Sequence, residues 1–424
     1  MSTEKISRTT KPFQTVIMLI IALGCMVGLP LVSEAAPVPG ARETAKRIHD
    51  RIAGIPPSDT VLDAMESCLS ANTAACDAIA GALTSSSVGA IKAAYIAMEN
   101  DAFYNTTLKN FAAPWTNEAQ SPFVPLNDYT ATVIGMIRDD VDFRTVLSAD
   151  LIYVGGTTTP AYSNSDNLHY EAMEDNGASL KTELTPQAQT SITGRAAIPA
   201  AGIMTTRAAA RAFFVDGTNR AMYRFTFINH LCSDMEQMKD VTRPSDRIRQ
   251  DVTRSPGGDS RIFNNSCIGC HTGMDPLAQA YAHYEWTYPA GGNADVGQLT
   301  YDSVNVQPKY LINSSNFSYG YITTDDSWEN YWRNGPNAVF GWFGAQSSGT
   351  GASSMGAELA NSTAFTSCQV RKVLKAVCLR DPMDSQADRA KINQIVTSIG
   401  TGAVNMKSIF AESASYCKDG TAYQ

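Results

Sequence analysis

Apolar residues recur at helical spacing through the first half of the chain. Val88, Ile91, Tyr95 and Met98 lie about one turn apart, and Val133, Ile134, Met136 and Ile137 follow Asn127-Asp128 in a second such stretch. A third runs from Arg220 to Cys232 with Met222, Phe225, Ile228 and Leu231. This spacing gathers apolar side chains on one helix face, so the half predicts a set of packed helices. Gly155–Pro160 and Ser163–Asn167 read as loops between them. Residues 240–266 are polar and rich in Asp, Arg, Ser, Pro and Gly, which predicts a domain boundary or a long loop laid over the C-terminal domain. Asp275-Pro276 then reads as an N-cap with proline at the first helical position, opening a helix to about Trp286. Residues 287–350 turn to Gly, Asn, Ser and aromatics, too long for a plain connection, and predict an insertion with structure of its own. Its aromatics, Trp328, Trp332 and Tyr310 among them, are expected to form local core. Helical spacing returns from about 355, in Val370, Val373, Leu374 and Val377 and then Ile392, Ile395, Val396 and Ile399.

One apolar stretch differs in kind. Lys5, Arg8 and Lys11 precede the run Val16–Val32, and Ser33-Glu34-Ala35 follows with small residues where a signal peptidase reads. Residues 1–35 therefore read as a secretory signal peptide cleaved after Ala35, and an exported protein is expected, in the periplasm or at the cell surface. Gly24, Gly28 and Pro30 weaken the alternative of an uncleaved anchor, and no span is expected in the mature chain.

Charge narrows the partners. The 33 Lys+Arg against 41 Asp+Glu give a formal net charge of −8, which disfavours nucleic acid and suits a basic protein partner.

The nine cysteines carry the chemistry. Cys25 leaves with the signal peptide. Cys267-Ile268-Gly269-Cys270-His271 is a C-x-x-C-H sequence, the attachment pattern of c-type haem. Two thiols at this spacing reach the two vinyl groups of one porphyrin, and the following histidine then meets the iron from one face. The competing readings need more than is present. A thioredoxin-like C-x-x-C needs a βαβ setting, and a zinc site needs two further ligands at short spacing. The remaining six, Cys68, Cys76, Cys232, Cys368, Cys378 and Cys417, predict three disulfides. Cys68 and Cys76 close a short loop. Cys368 and Cys378 lie at the two ends of one helical pattern, about 15 Å apart at the helical rise, so each pairs elsewhere, with Cys232 and Cys417 as partners in an order left open.

Several stretches resemble a known family. Arg195-Ala196-Ala197-Ile198-Pro199, Phe227–Cys232, and Cys267 to Ala278 with Met274-Asp275-Pro276-Leu277 after the histidine are similar to planctomycete-type cytochrome c domain proteins, as is Glu358–Leu374. The resemblance covers roughly 125–420. It implies a mainly α chain: a helical module of unknown function at 36–250, then a cytochrome c-like helical haem domain at 251–424 carrying the aromatic, Gly-rich insertion at 287–350. A cytochrome c-like chain would bring a distal ligand from Met355, with Met406, Met383, a histidine or an open site as alternatives. Among the histidines, His230 reads as a core residue, His169 as solvated, His283 as able to approach a propionate, and His49 as lacking a partner.

The function expected is electron transfer by an exported monohaem c-type cytochrome with unnamed donor and acceptor. The alternatives are a haem c oxidoreductase of peroxidase type, or a cell-surface interaction protein with a structural haem.

Overall fold

The computed structural model describes residues 40–70 and 73–419; the signal peptide expected at 1–35 lies outside them. Helices dominate, accompanied by three two-stranded antiparallel sheets. The first helix, Ala41–Ala53, buries Ala45, Ile48 and Ile52 along one stripe. Asp59–Leu69 starts where the Ser58 side chain accepts from the Val61 amide, and Gly89–Met98 completes a packed trio. The last helix, Met406–Cys417, closes this group from the other end of the chain by packing against Gly89–Met98. Arg51 Nη1 donates to the Val377 carbonyl at 2.8 Å, and Arg47 Nη1 to the Lys418 carbonyl at 3.2 Å.

A central helix, Asp128–Arg138, is buried from Asp128 to Ile137. Its start is fixed as the sequence suggested: Asn127 Oδ1 accepts from the Thr130 amide at 3.0 Å. Asn127→Ala is expected to lower unfolding stability by about 1 kcal/mol through loss of this cap, read from a denaturant melt. The antiparallel pair of Ile152–Gly155 and Leu184–Gln187 lies against this helix. Arg195, the first residue of one family-like stretch, is fully buried and anchors loops there. Its guanidinium donates to Gln189 Oε1 at 2.7 Å and to Asn164 Oδ1 at 3.2 Å.

Packing runs across residue 250 without a break. Arg220–Leu231 lies against both Ile268–Ala278 and Thr363–Cys378, and one hydrophobic core includes residues from Ala45 to Cys417. Within 240–266, helical turns begin at Pro256–Gly258 and Ser260–Ile262, and the residues before them lie against Ile268–Ala278. The Asp240 amide donates to the Gly269 carbonyl at 2.9 Å, and Thr272 Oγ1 donates to the Asp240 carbonyl at 2.8 Å.

The helix expected from Asp275 is the clearest departure. Asp275 and Pro276 lie inside Ile268–Ala278, near its end, and Tyr284–Thr287 is a strand paired with Gln298–Tyr301. Asp275 turns to its own helix's preceding turn and to Arg220, so it caps nothing. Beyond 283 the pattern is an alternation: Tyr284 and Trp286 are buried, with Glu285 and Thr287 more exposed. The 287–350 segment does carry structure of its own, including the pair Ser327–Glu329 and Ser348–Thr350. Tyr310, Trp328 and Trp332 are buried, whereas Tyr319 is 96% exposed.

Among the described residues, all six cysteines outside the motif are paired. The bonds join Cys68 to Cys76, Cys232 to Cys368 and Cys378 to Cys417. The two ends of the helix Thr363–Cys378 are thus tied to different partners, and the order left open by the sequence is settled. Among the described residues no helix is long and apolar enough to cross a membrane.

Candidate functional site

The C-x-x-C-H residues lie on a helical run that begins at Ser260, where Asp259 Oδ1 accepts from the Arg261 amide at 2.9 Å. One α-turn, Ser260–Ile262, passes into a π-turn, Phe263–Cys267, and then into Ile268–Ala278. Cys267 closes the π-turn, and Cys270 and His271 follow one α-turn on. Both thiols are free and partly exposed. Cys267 packs against a small cluster of Ile248, Val252 and Phe263, while Cys270 leans on the main core. Burial pushes the Cys270 thiol up. Among the described residues, no group of three or more His, Cys, Asp or Glu side chains is placed to hold a metal ion, as a closed zinc site would need.

His271 is held from behind. Its Nδ1 lies 3.0 Å from Asp275 Oδ2 and 3.1 Å from Oδ1, four residues along the same helix. A carboxylate can only accept, so Nδ1 carries a proton, and in the neutral ring the lone pair lies on Nε2. Nε2 hydrogen bonds to none of the described residues. A histidine oriented in this way presents a basic nitrogen to a metal, and the carboxylate behind it raises its donor strength.

Asp275 is itself fully buried. Arg220 Nε donates to its Oδ1 at 2.9 Å, and the Arg249 amide to its Oδ2 at 3.3 Å. Burial alone would raise this carboxyl, but the Arg220 charge, together with His271 and Arg249, holds it well below the usual carboxylate range. Arg220 is locked in turn by two 2.7 Å bonds to Asp251, and the Arg249 guanidinium lies 4.2 Å from the Tyr310 ring centroid. Two aspartates and two arginines thus fix the plane of one imidazole. Of these four the sequence reading assigned a site role to none. The signal was present as a His–Asp pair four apart, hidden by reading Asp275 as a cap.

On its other side the motif helix meets Trp332. A Cβ added at Gly273 would overlap the indole, which is fully buried. Gly273→Ala is expected to displace Trp332 and lower stability by about 1–3 kcal/mol. Denaturant unfolding followed by tryptophan fluorescence reads both.

The remaining candidates stand elsewhere. Met355 is fully buried on the helix Gly351–Ala360, which packs against Phe143–Leu147, and no described contact joins it to His271. Met406 is buried at the start of the last helix, and Met383 is 41% exposed. His230 is a core residue: Nε2 lies 2.9 Å from the Tyr129 hydroxyl, and the ring lies between Trp115 and Phe365. His169 is buried rather than solvated, because Nδ1 meets the Pro160 carbonyl at 2.6 Å and Nε2 accepts from the Gly155 amide at 2.8 Å. His49 also has a partner, the Ile55 carbonyl at 2.9 Å from Nδ1. His283 Nδ1 bonds the Asn305 carbonyl at 3.0 Å.

Comparison with family models, curated proteins and solved structures returned no match.

Proposed function

We propose that this chain is an exported c-type cytochrome that binds one haem through Cys267, Cys270 and His271 and serves in electron transfer. The carrying observation is the helix at 267–275: two thiols left unpaired where every other described cysteine is in a disulfide, followed by an imidazole whose Nδ1 is committed to Asp275. The donor set suits the group. Cys267 and Cys270 supply two thioether positions at the required spacing, His271 Nε2 supplies one axial nitrogen, and Asp275 with Arg220 keeps that nitrogen aimed. Bound haem supplies reversible one-electron chemistry at its iron. The three disulfides support passage through an oxidising compartment, where covalent haem attachment takes place.

Asp275 also favours a second reading, a haem c oxidoreductase. A carboxylate-backed histidine donates strongly, which suits oxidoreductase chemistry more than a high-potential carrier does. The distal side separates the two, and Met355, deep in the core, is the residue to test.

Purified from a host that exports it and attaches haem c, the full chain is expected to give the pyridine haemochrome spectrum of haem c. Cys267→Ser/Cys270→Ser is expected to retain no covalent haem. Absence of covalent haem from the parent protein would overturn the proposal. A six-coordinate spectrum altered by Met355→Ala would support the carrier; a high-spin spectrum with ready cyanide binding would support the oxidoreductase.

A further inference from the structure

A cleft of about 730 Å³ lies between Arg220–Leu231, Thr363–Cys378 and the segment around Trp115. Four cations line it, and three of them have carboxylates. Arg224 is paired with Asp234 at 2.6 Å, while Lys375 and Arg371 lie 3.2 and 3.9 Å from Asp381. Lys372 is the exception: among the described residues it has no carboxylate partner. Its Nζ donates to the Asn229 carbonyl at 2.6 Å and sits 3.1 Å from the centroid of the Trp115 ring. The Phe111 ring lies 5.7 Å away on the same group.

A ring face and one carbonyl favour an ammonium only in part, since neither carries a full negative charge. Burial accordingly lowers the Lys372 amine well below the ordinary lysine range. His230 supplies no counter-charge to the amine, and burial above all lowers the basicity of its imidazole. Glu118 is the other acidic side chain lining the cleft besides Asp234, and it forms no ion pair with Lys372. An amine that sheds its proton easily, set beside an accessible space, is the arrangement that makes lysine a nucleophile.

We propose that this cleft is a second site, in which Lys372 condenses with small carbonyl compounds bearing an anionic group. The unprotonated Nζ adds to the carbonyl carbon to form a carbinolamine. Loss of water, which carries off the carbonyl oxygen and both amine hydrogens, leaves a C=N bond to Nζ. No oxidant or reductant takes part. Arg371 and Lys375, more exposed on the same helix, supply the positive field for the anionic group. The proposal is independent of the haem reading.

The probe is pyridoxal 5′-phosphate, an aldehyde with a phosphate, added in limiting amount to the full chain at neutral pH. Cyanoborohydride reduction and peptide mass mapping then locate the label. Lys372 is expected to be labelled about tenfold or more over Lys375, because each unit of lowered basicity gives a tenfold larger free-amine fraction. Lys375 is the internal reference, on the same helix and 63% exposed. Labelling of Lys375 equal to or above that of Lys372 would overturn the proposal. Pyridoxal lacking the phosphate is expected to label Lys372 more weakly, and equal labelling by both would remove the anionic requirement. Lys372→Arg, which keeps a cation over Trp115, is expected to lose the favoured label while the reference label stays.

Discussion

Asparagine in place of Asp275 is expected to raise the reduction potential of the haem-loaded protein by up to about 60–120 mV. The range is the upper limit, reached when a 10–100-fold loss of affinity behind a metal-binding histidine falls on the oxidised form alone, at 59 mV per tenfold for one electron. The sign follows from charge. A carboxylate on Nδ1–H makes the imidazole a stronger donor and favours the more positive oxidation state. A neutral amide keeps an acceptor in the same place but withdraws that charge. Arg220 has two further 2.7 Å bonds to Asp251, which are expected to hold it when Asp275 is neutralised. Spectroelectrochemical titration of the two proteins checks it. An unchanged potential with haem still attached would show that Asp275 only packs, and that His271 is tuned from elsewhere.

Removing the Cys232–Cys368 bond is the second large effect. Its ends are 136 residues apart in sequence, and loop-closure entropy assigns such a cross-link about 5 kcal/mol. The same relation assigns about 2.6 kcal/mol to Cys68–Cys76, whose separation is 8. Cys232→Ser/Cys368→Ser is therefore expected to lose roughly twice as much stability as Cys68→Ser/Cys76→Ser, by denaturant unfolding of each double variant. Equal losses would mean that native packing around the bonds, and not restriction of the unfolded chain, sets their worth. The long-range bond also lies beside the Lys372 cleft, where Cys232 ends its helix in a left-handed conformation with φ of 53°. A loosened helix end is expected to weaken the selectivity for Lys372 along with the stability.

The helices around 89–98, 128–138 and 220–231 were legible because local periodicity specifies them, and the second also has a side-chain cap at Asn127. What misled was chemistry that looks local and is not. Asp275 before proline has every local mark of a helix start, yet a turn already formed from Ser260 and a guanidinium 55 residues away in sequence claim its carboxylate. The strand at Tyr284–Thr287 was missed because its four residues show alternation only once its partner, Gln298–Tyr301, is known. His49 and His169 gain their bonds from backbone carbonyls and an amide placed by folding, which no spacing rule reveals. The Cys267–His271 motif was fully legible as a pattern. The apparatus behind it was not, since Arg220 comes from another helix and Arg249 and Asp251 from the segment that precedes the motif helix.

The last helix packs into the group formed by Ala41–Ala53, Asp59–Leu69 and Gly89–Met98, and this sets an order of events for a chain synthesised from its N-terminus. Residues 41–98 emerge first with an apolar face whose cover, Met406–Cys417, arrives only at the end. Until then that face is open to chaperones, to other copies of the chain or to proteases. A truncation that removes only the final helix should thus be felt most at the opposite end of the sequence, as cleavage within residues 41–98 under limited proteolysis.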